Sequence, residues 1–140
     1  MIEYADYKYY LNSYKGDMSE LDFKRLLIKA SAIINNHIFN RDIKGYEEEV
    51  QIATCSVIDI LYNIENINTK INQISNENNK IVASESVGDL SRTFTNSTII
   101  DLNNEIANQK NKIEEEIRTY LLSTGLLYRG IWWMIYLIKI

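Results

Sequence analysis

The side chains that could support catalysis are few and lie far apart in the chain. His37 is the only histidine and Cys55 the only cysteine, so neither a two-histidine metal site nor an internal disulfide can be built. His37 lies at the edge of an apolar helical stripe, where we expect a boundary histidine rather than a catalytic base. Cys55 is one residue away from an apolar seam and has no basic cluster nearby, so we expect a buried small hydrophobe.

Two runs of three glutamates are the densest concentrations of charge. They are Glu47–Glu49 and Glu114–Glu116. Consecutive positions of a helix point about 100° apart, so one run cannot converge on a single ion. We therefore expect solvated acidic faces. Neither GxxxxGK nor GxGxxG occurs, so no phosphate-binding loop is predicted. The sequence thus predicts no enzymatic activity, no metal and no cofactor.

The composition is that of one ordinary globular domain. The chain has 140 residues, of which 24% are charged and 46% apolar. Its net charge of -4 argues against a general affinity for nucleic acid, whose binding proteins usually have a basic face. A lone cysteine fits a reducing compartment. Residues 1–15 alternate tyrosine with charged and polar residues, so no secretory leader is expected.

The expected fold is mostly α: a small bundle of three main helices with an N-terminal arm, an extended loop or hairpin around residues 81–96, and an extended C-terminal tail. The arm should be short, helical or irregular, and end in a turn at Lys15–Asp17. Ser19 and Asp22 resemble a capping box, which predicts the start of the first helix. Its apolar stripe comprises Phe23, Leu26, Leu27, Ala30, Ile33, Ile34 and Ile38.

The second helix is predicted to begin near Tyr46 and to pack along a regular apolar seam. The seam comprises Val50, Ala53, Val57, Ile60, Ile64, Ile67, Ile71 and Ile74. Its apolar period of about 3.5 residues requires a partner helix alongside. A helix of about 30 residues would span about 45 Å, which is long for so small a domain. We therefore expect its second half, from Asn63, to project or to break near Asn76–Asn79.

Residues 81–96 have a different character. Ile81–Ala83 and Arg92–Thr95 are typical of strands, so an extended arm or irregular hairpin is predicted there. A third helix should follow, capped by Thr98, with Gly125 just past its end. Its apolar stripe comprises Ile99, Leu102, Ile106, Ile113, Ile117, Tyr120 and Leu121. We divide the chain into a helical domain, residues 1–130, and an apolar docking tail, residues 131–140.

The tail is the most informative segment for function. If exposed, it would form an apolar patch that soluble monomers rarely tolerate. A membrane span needs about 20 apolar residues, and extending the tail backwards places Arg129 in the span at a cost of about 2.5–3.5 kcal/mol. Burying Trp132 or Trp133 against protein contributes about 1.5–3 kcal/mol each. Docking on a partner is therefore favoured. The alternatives are a membrane-tethered coiled-coil protein anchored by residues 121–140, and a cytosolic regulator that dimerises through the second helix.

Several motifs, in order along most of the chain, resemble the head–tail connector (adaptor) proteins of long-tailed phages and defective prophages. The loop at residues 85–89 and the ending at residues 124–130 are together the more specific part of this resemblance. The helical segments that contribute to it are Tyr7–Tyr10, Tyr14–Gly16, Asp22–Arg25, Ala30–Ile34, Phe39–Arg41, Glu48–Val50 and Ala53–Cys55.

The resemblance implies a dodecameric ring beneath the portal vertex of a capsid, joining the portal protein to neck, stopper or tail proteins. The protein would belong to the virion neck and, during assembly, to the host cytoplasm, without contacting a membrane. DNA would pass through the channel without specific binding, since a ring of acidic subunits repels phosphates. The implied portal- or partner-binding residues are Leu126, Leu127, Tyr128, Arg129, Ile131, Trp132, Trp133, Ile135, Tyr136 and Leu137. The implied inter-subunit loop contains Val87, Gly88, Asp89 and Phe94.

Overall fold

The computed structural model describes the backbone of residues 2–81 and 88–127 and the side chains of residues 2–77 and 96–127. These residues form four α-helices, three of them long, and no strand. The helices are α1 (Tyr7–Asn12), α2 (Glu20–Ile38), α3 (Glu47–Ile81) and α4 (Gly88–Leu121), and a 3-10 turn, Leu122–Thr124, follows α4. The prediction of a mostly α helical bundle is confirmed.

The chain divides into two compact units. The first contains the residues up to Asp59 together with those from Ile113, and the second contains Ile60–Lys112. The helices α3 and α4 therefore each contribute to both units.

The N-terminal arm is fixed to the first unit by Tyr10. Asp6 caps α1, since its side chain accepts a hydrogen bond of 2.7 Å from the backbone N–H of Tyr9. The ring of Tyr10 is fully buried and lies 5.0 Å from that of Phe23, centroid to centroid. Its hydroxyl donates to Oδ1 of Asp59 at 2.8 Å. The predicted short helical arm is thus held by aromatic packing and one partly buried hydrogen bond.

The first long helix, α2, begins where the capping residues predicted. Oγ of Ser19 accepts a hydrogen bond from the backbone N–H of Asp22 at 3.3 Å, and the helix begins at Glu20. Its predicted stripe faces the core: Ile33 is half-buried and the other six members are buried, namely Phe23, Leu26, Leu27, Ala30, Ile34 and Ile38. The helix ends at Ile38, with Phe39 in a left-handed conformation.

Helix α3 is continuous from Glu47 to Ile81, so the predicted break near Asn76–Asn79 is wrong. No glycine or proline lies in this range, and each asparagine costs a helix only about 0.7 kcal/mol relative to alanine. The seam changes in burial along the helix. Its first four members, Val50, Ala53, Val57 and Ile60, are buried, whereas Ile64, Ile67, Ile71 and Ile74 are half-buried.

Helix α4 begins at Gly88, ten residues before the predicted cap at Thr98. The prediction of an extended segment at residues 81–96 is therefore wrong for Ile81, which ends α3, and for residues 88–96; residues 82–87 lie outside the described range. Leu90 and Phe94 are four residues apart, so they continue the helical period instead of forming a strand. A strand also needs a partner to satisfy its backbone, and the described ranges contain none.

Candidate docking site

The polypeptide leaves the helical body through a hydrogen-bonded turn after α4. Oγ1 of Thr124 donates to the carbonyl oxygen of Leu121 at 2.6 Å and accepts from the backbone N–H of Leu126 at 3.1 Å. Gly125 lies between them at φ +78°, a left-handed conformation that favours glycine. The prediction that Gly125 follows the end of the last helix is confirmed, after one 3-10 turn.

Arg41 holds this turn against the segment that follows α2. Its Nη1 donates to the carbonyl oxygens of Gly125 and Leu126, at 3.1 Å and 2.9 Å. Hydrogen bonds to a charged donor contribute about 1.5–3 kcal/mol, more than neutral ones. The side chain of Leu126 is also buried. The turn at Gly125 and Leu126 is therefore held in place by both hydrogen bonds and burial.

A groove of about 380 Å³ opens beside this point. We call it the α2–α4 groove, and it is lined by Asn36, His37, Phe39, Glu114, Ile117, Arg118 and Leu127. Among its apolar lining residues, Ile117 is fully buried, Leu127 is half-buried and Phe39 has an aromatic ring that is 45% exposed. His37, Glu114 and Arg118 supply polar groups around it. The groove is thus lined by a mixture of polar and apolar side chains.

The polar side of the groove is organised by His37. Its Nδ1 lies 2.8 Å from the carbonyl oxygen of Ile33, and its Nε2 lies 2.9 Å and 3.0 Å from Oε1 and Oε2 of Glu114. Both ring nitrogens thus lie within hydrogen-bond distance of an oxygen atom. His37 is half-buried at the edge of the apolar stripe, as predicted, and it links α2 to α4.

Phe39 adopts a conformation that is unusual for its residue type. It lies at φ 59° and ψ 42°, and Asn40 follows at φ 57°. Left-handed backbone costs a residue with a Cβ about 1–2 kcal/mol, and glycine or asparagine usually occupies this position after a helix. The guanidinium of Arg41 lies 5.3 Å from the centre of the Phe39 ring. The bulky ring is therefore held in a strained position at the groove.

The glutamates of the second acidic run diverge, as expected. Glu114 contacts His37, Glu115 is exposed, and Oε2 of Glu116 accepts a hydrogen bond from the Ser56 hydroxyl at 3.1 Å. Within the described ranges, no group of three histidine, cysteine or acidic residues could hold a metal ion.

A buried polar cluster lies around Asp59 in the same unit. Burial, followed by the hydrogen bond to Asp59, raises the pKa of the Tyr10 hydroxyl well above its ordinary value. Burial likewise raises the pKa of Tyr14. Cys55 is fully buried, as predicted, and burial with the nearby charge of Asp59 raises its thiol pKa to about 12. The hydroxyls of Tyr10 and Tyr14 and the thiol of Cys55 are therefore protonated near neutral pH and have a structural role.

Two of the predicted portal-binding residues can be placed. Leu126 is buried under the turn, and Leu127 is half-buried and lines the α2–α4 groove. The other eight lie outside the described residues: Tyr128, Arg129, Ile131, Trp132, Trp133, Ile135, Tyr136 and Leu137. Of the predicted inter-subunit loop, Val87 also lies outside them. Gly88, Asp89 and Phe94 belong to α4 rather than to a loop, and their side chains are not described.

Sequence reasoning missed Arg41 and Phe39 as parts of this site. The partner of Arg41 is 84 residues away in the chain, and its acceptors are backbone carbonyls, which carry no residue identity. The sequence contained a weak signal for the left-handed conformation near Phe39. Asn40 follows the helix, and helices often end at a left-handed residue that is glycine or asparagine.

Comparison of the chain with models of protein families, with curated proteins and with solved structures gives no match. Among the described residues, no helix combines the length and the apolar character that crossing a bilayer requires.

Proposed function

We propose that this protein is a structural head–tail connector of a phage or phage-like particle. In this proposal it forms a ring under the portal, joins the capsid to neck and tail, and surrounds the DNA exit channel. The observation that carries the proposal is the fixed exit of the apolar C-terminal segment beside a partly apolar groove. Such a segment on an acidic helical body needs protein cover, and a partner in an assembly provides it.

The clamp by Arg41 supports a docking role for the tail. A segment that emerges at a fixed point can be presented in the same place by every copy in a ring. Since Leu126 is buried and Arg41 binds two carbonyls of the turn, little conformational entropy remains to be lost at the base of the tail when it docks.

The charge of the helical body supports a channel that passes DNA without retaining it. The net charge is -4, and Glu47, Glu48 and Glu115 are exposed on the described surface. Repeated around a ring, this charge repels phosphates, whereas a basic surface would bind DNA in a salt-dependent manner.

The half-buried seam of α3 supports contacts between copies. Within the second unit, Ile64, Ile67, Ile71 and Ile74 each retain exposed apolar surface. We propose that a helix from a neighbouring copy in the ring covers this remaining apolar surface, because a regular apolar seam of this period packs against a helix alongside it.

The test is co-purification with a candidate portal protein. The full chain and a variant lacking residues 131–140 are each mixed with the portal. We expect the full chain to remain bound and the shortened chain to fold but lose the portal. The variant Leu21→Ser is a matched control, because Leu21 is 80% exposed on α2. Equal retention of the shortened chain would contradict docking through the tail, and carbonate-resistant pelleting with membranes would favour the membrane-tethered alternative.

A further inference from the structure

We propose that neighbouring copies of this chain contact each other through the middle of α2 on one copy and an acidic groove at the N-terminal arm of the next. The groove is lined by residues 2–6, Ile43, Glu47 and Gln51, and we call it the arm groove. This contact deepens the proposed function and rests on it, because a ring needs two different surfaces on every copy that fit each other.

The arm groove carries negative charge that nothing nearby neutralises. Three of its lining residues have exposed carboxylates, namely Glu3, Asp6 and Glu47. Within the part of the chain that the structure describes, no lysine or arginine forms an ion pair with any of them. Ile2 lines the same groove with a side chain that is 65% exposed. A groove of this character favours a partner surface that is cationic and partly apolar.

The middle of α2 has this complementary character. Ile28 is 55% exposed on the side of the helix away from its buried stripe, and Lys24 and Lys29 beside it are exposed. Among the described residues, Lys29 has no acidic partner. Lys24 pairs with Glu20 at 3.1 Å, but the pair is exposed, and exposed pairs contribute little to stability. Both ammonium groups can therefore bind carboxylates of a neighbouring copy.

Charge and size favour Ile28 over Leu21 as the side chain that enters the groove. Leu21 is also exposed on this side of α2, but it lies seven residues earlier, which is about 10 Å along the helix axis. A groove of about 310 Å³ is too small to take both side chains. Glu20 and Asp22 flank Leu21, so an acidic groove repels that end of the helix.

A second copy has to supply the occupant, because the two surfaces of one chain are fixed in place and cannot meet. The arm is held on α2 by Tyr4, whose backbone N–H donates to Oγ of Ser31 at 3.3 Å and whose hydroxyl donates to Oδ1 of Asn35 at 2.7 Å. The two surfaces share no residue, so each copy can offer one surface to each of two neighbours. Head-to-tail contacts of this kind generate a ring when the rotation closes.

Disulfide formation between two variants of the full chain tests the contact. One chain carries Ile28→Cys and the other Gln51→Cys, which lies in the arm groove on α3, and tags of different size identify the mixed dimer. A disulfide forms only when the two Cα atoms come within about 7 Å. The natural Cys55 is fully buried and does not compete. We expect a severalfold higher yield of mixed dimer than with the matched control Leu21→Cys in place of Ile28→Cys.

Charge reversal tests whether the ammonium groups and the carboxylates attract each other. Adding Lys24→Glu and Lys29→Glu to the Ile28→Cys chain should lower the yield of mixed dimer severalfold. Adding Glu3→Lys and Glu47→Lys to the groove chain should then restore it. All four side chains are exposed, so the helical circular dichroism of each variant should stay unchanged.

Two results would overturn the proposal. One is that neither Gln51→Cys nor Ile2→Cys gives more mixed dimer with Ile28→Cys than with Leu21→Cys, and the other is that charge reversal leaves the yield unchanged. Both are measured without a portal, so they are separate from the test of the proposed function. A mixed dimer without a ring on the portal would contradict the connector function alone, whereas a ring without the mixed dimer would contradict this contact alone.

Discussion

At the scale of single residues, Gly16 shows how one missing side chain allows the arm to close. A Cβ at this position would overlap the ring of Tyr10, which is fully buried and cannot move aside. We expect Gly16→Ala to lower the free energy of unfolding by about 3 kcal/mol, as for severe overpacking.

Gly45→Ala is the matched control for this prediction. Gly45 also lies in a turn, but at φ +93° with nothing near its Cβ position, so only backbone strain of about 1 kcal/mol is expected. Urea unfolding of the two variants compares them. Equal destabilisation would show that the contact with Tyr10 does not matter.

The raised pKa of the Tyr10 hydroxyl predicts that the protein loses stability at alkaline pH. Its pKa in the folded state is raised above the unfolded value of about 10, so the fold favours the protonated hydroxyl. The resulting stabilisation is complete below pH 10 and is lost as the pH rises through the folded pKa. Tyr10→Phe should cost about 1 kcal/mol at pH 8, and the difference from the natural chain should shrink at pH 11. Urea unfolding at each pH measures the difference in free energy of unfolding between the two chains. A difference that stays constant from pH 8 to pH 11 would contradict the prediction.

At the scale of elements, the turn after α4 depends on one arginine. Removing the guanidinium in Arg41→Ala leaves the exposed carbonyl of Gly125 and the partly buried carbonyl of Leu126 without their charged donor. We expect a loss of about 1.5–3 kcal/mol and faster amide exchange at Leu126. Lys24→Ala is the control, because its ion pair with Glu20 is exposed and contributes about 0–1 kcal/mol. Indistinguishable exchange at Leu126 in the two variants would refute the clamp.

The elements that the sequence predicted correctly are those governed by local chemistry. Ser19 caps α2 because its hydroxyl accepts from an N–H three residues away, and the seam of α3 follows from its period. The predicted start of α4 was wrong. Arg92–Thr95 have side chains that favour strands, but these residues lie in a helix, as the four-residue spacing of Leu90 and Phe94 indicates. Differences of a few tenths of a kcal/mol in secondary-structure propensity are too small to outweigh a continuous helical spacing of apolar residues.

The site was less predictable than the elements. That a tail follows the turn at Gly125 is visible in the sequence, but the groove beside it is not. His37 and Glu114 are 77 residues apart, and nothing in their local sequence indicates that they meet. The sequence analysis named Phe39 only as part of the family resemblance. Its strain is a property of the backbone and is not visible in the sequence.

At the scale of the whole molecule, three features support the proposed function. They are a net charge of -4, the half-buried second half of the α3 seam, and an apolar C-terminal sequence that follows a hydrogen-bonded turn. In the ring that we propose, the charge would repel DNA, the seam would contact a neighbouring copy and the tail would dock on a partner.

Electron microscopy of the chain mixed with its candidate portal tests this account most directly. Negative-stain images should show an additional closed ring on one end of the portal when the full chain is present. Portal particles with no added density, at concentrations where the chain is folded and in excess, would contradict the proposed connector function.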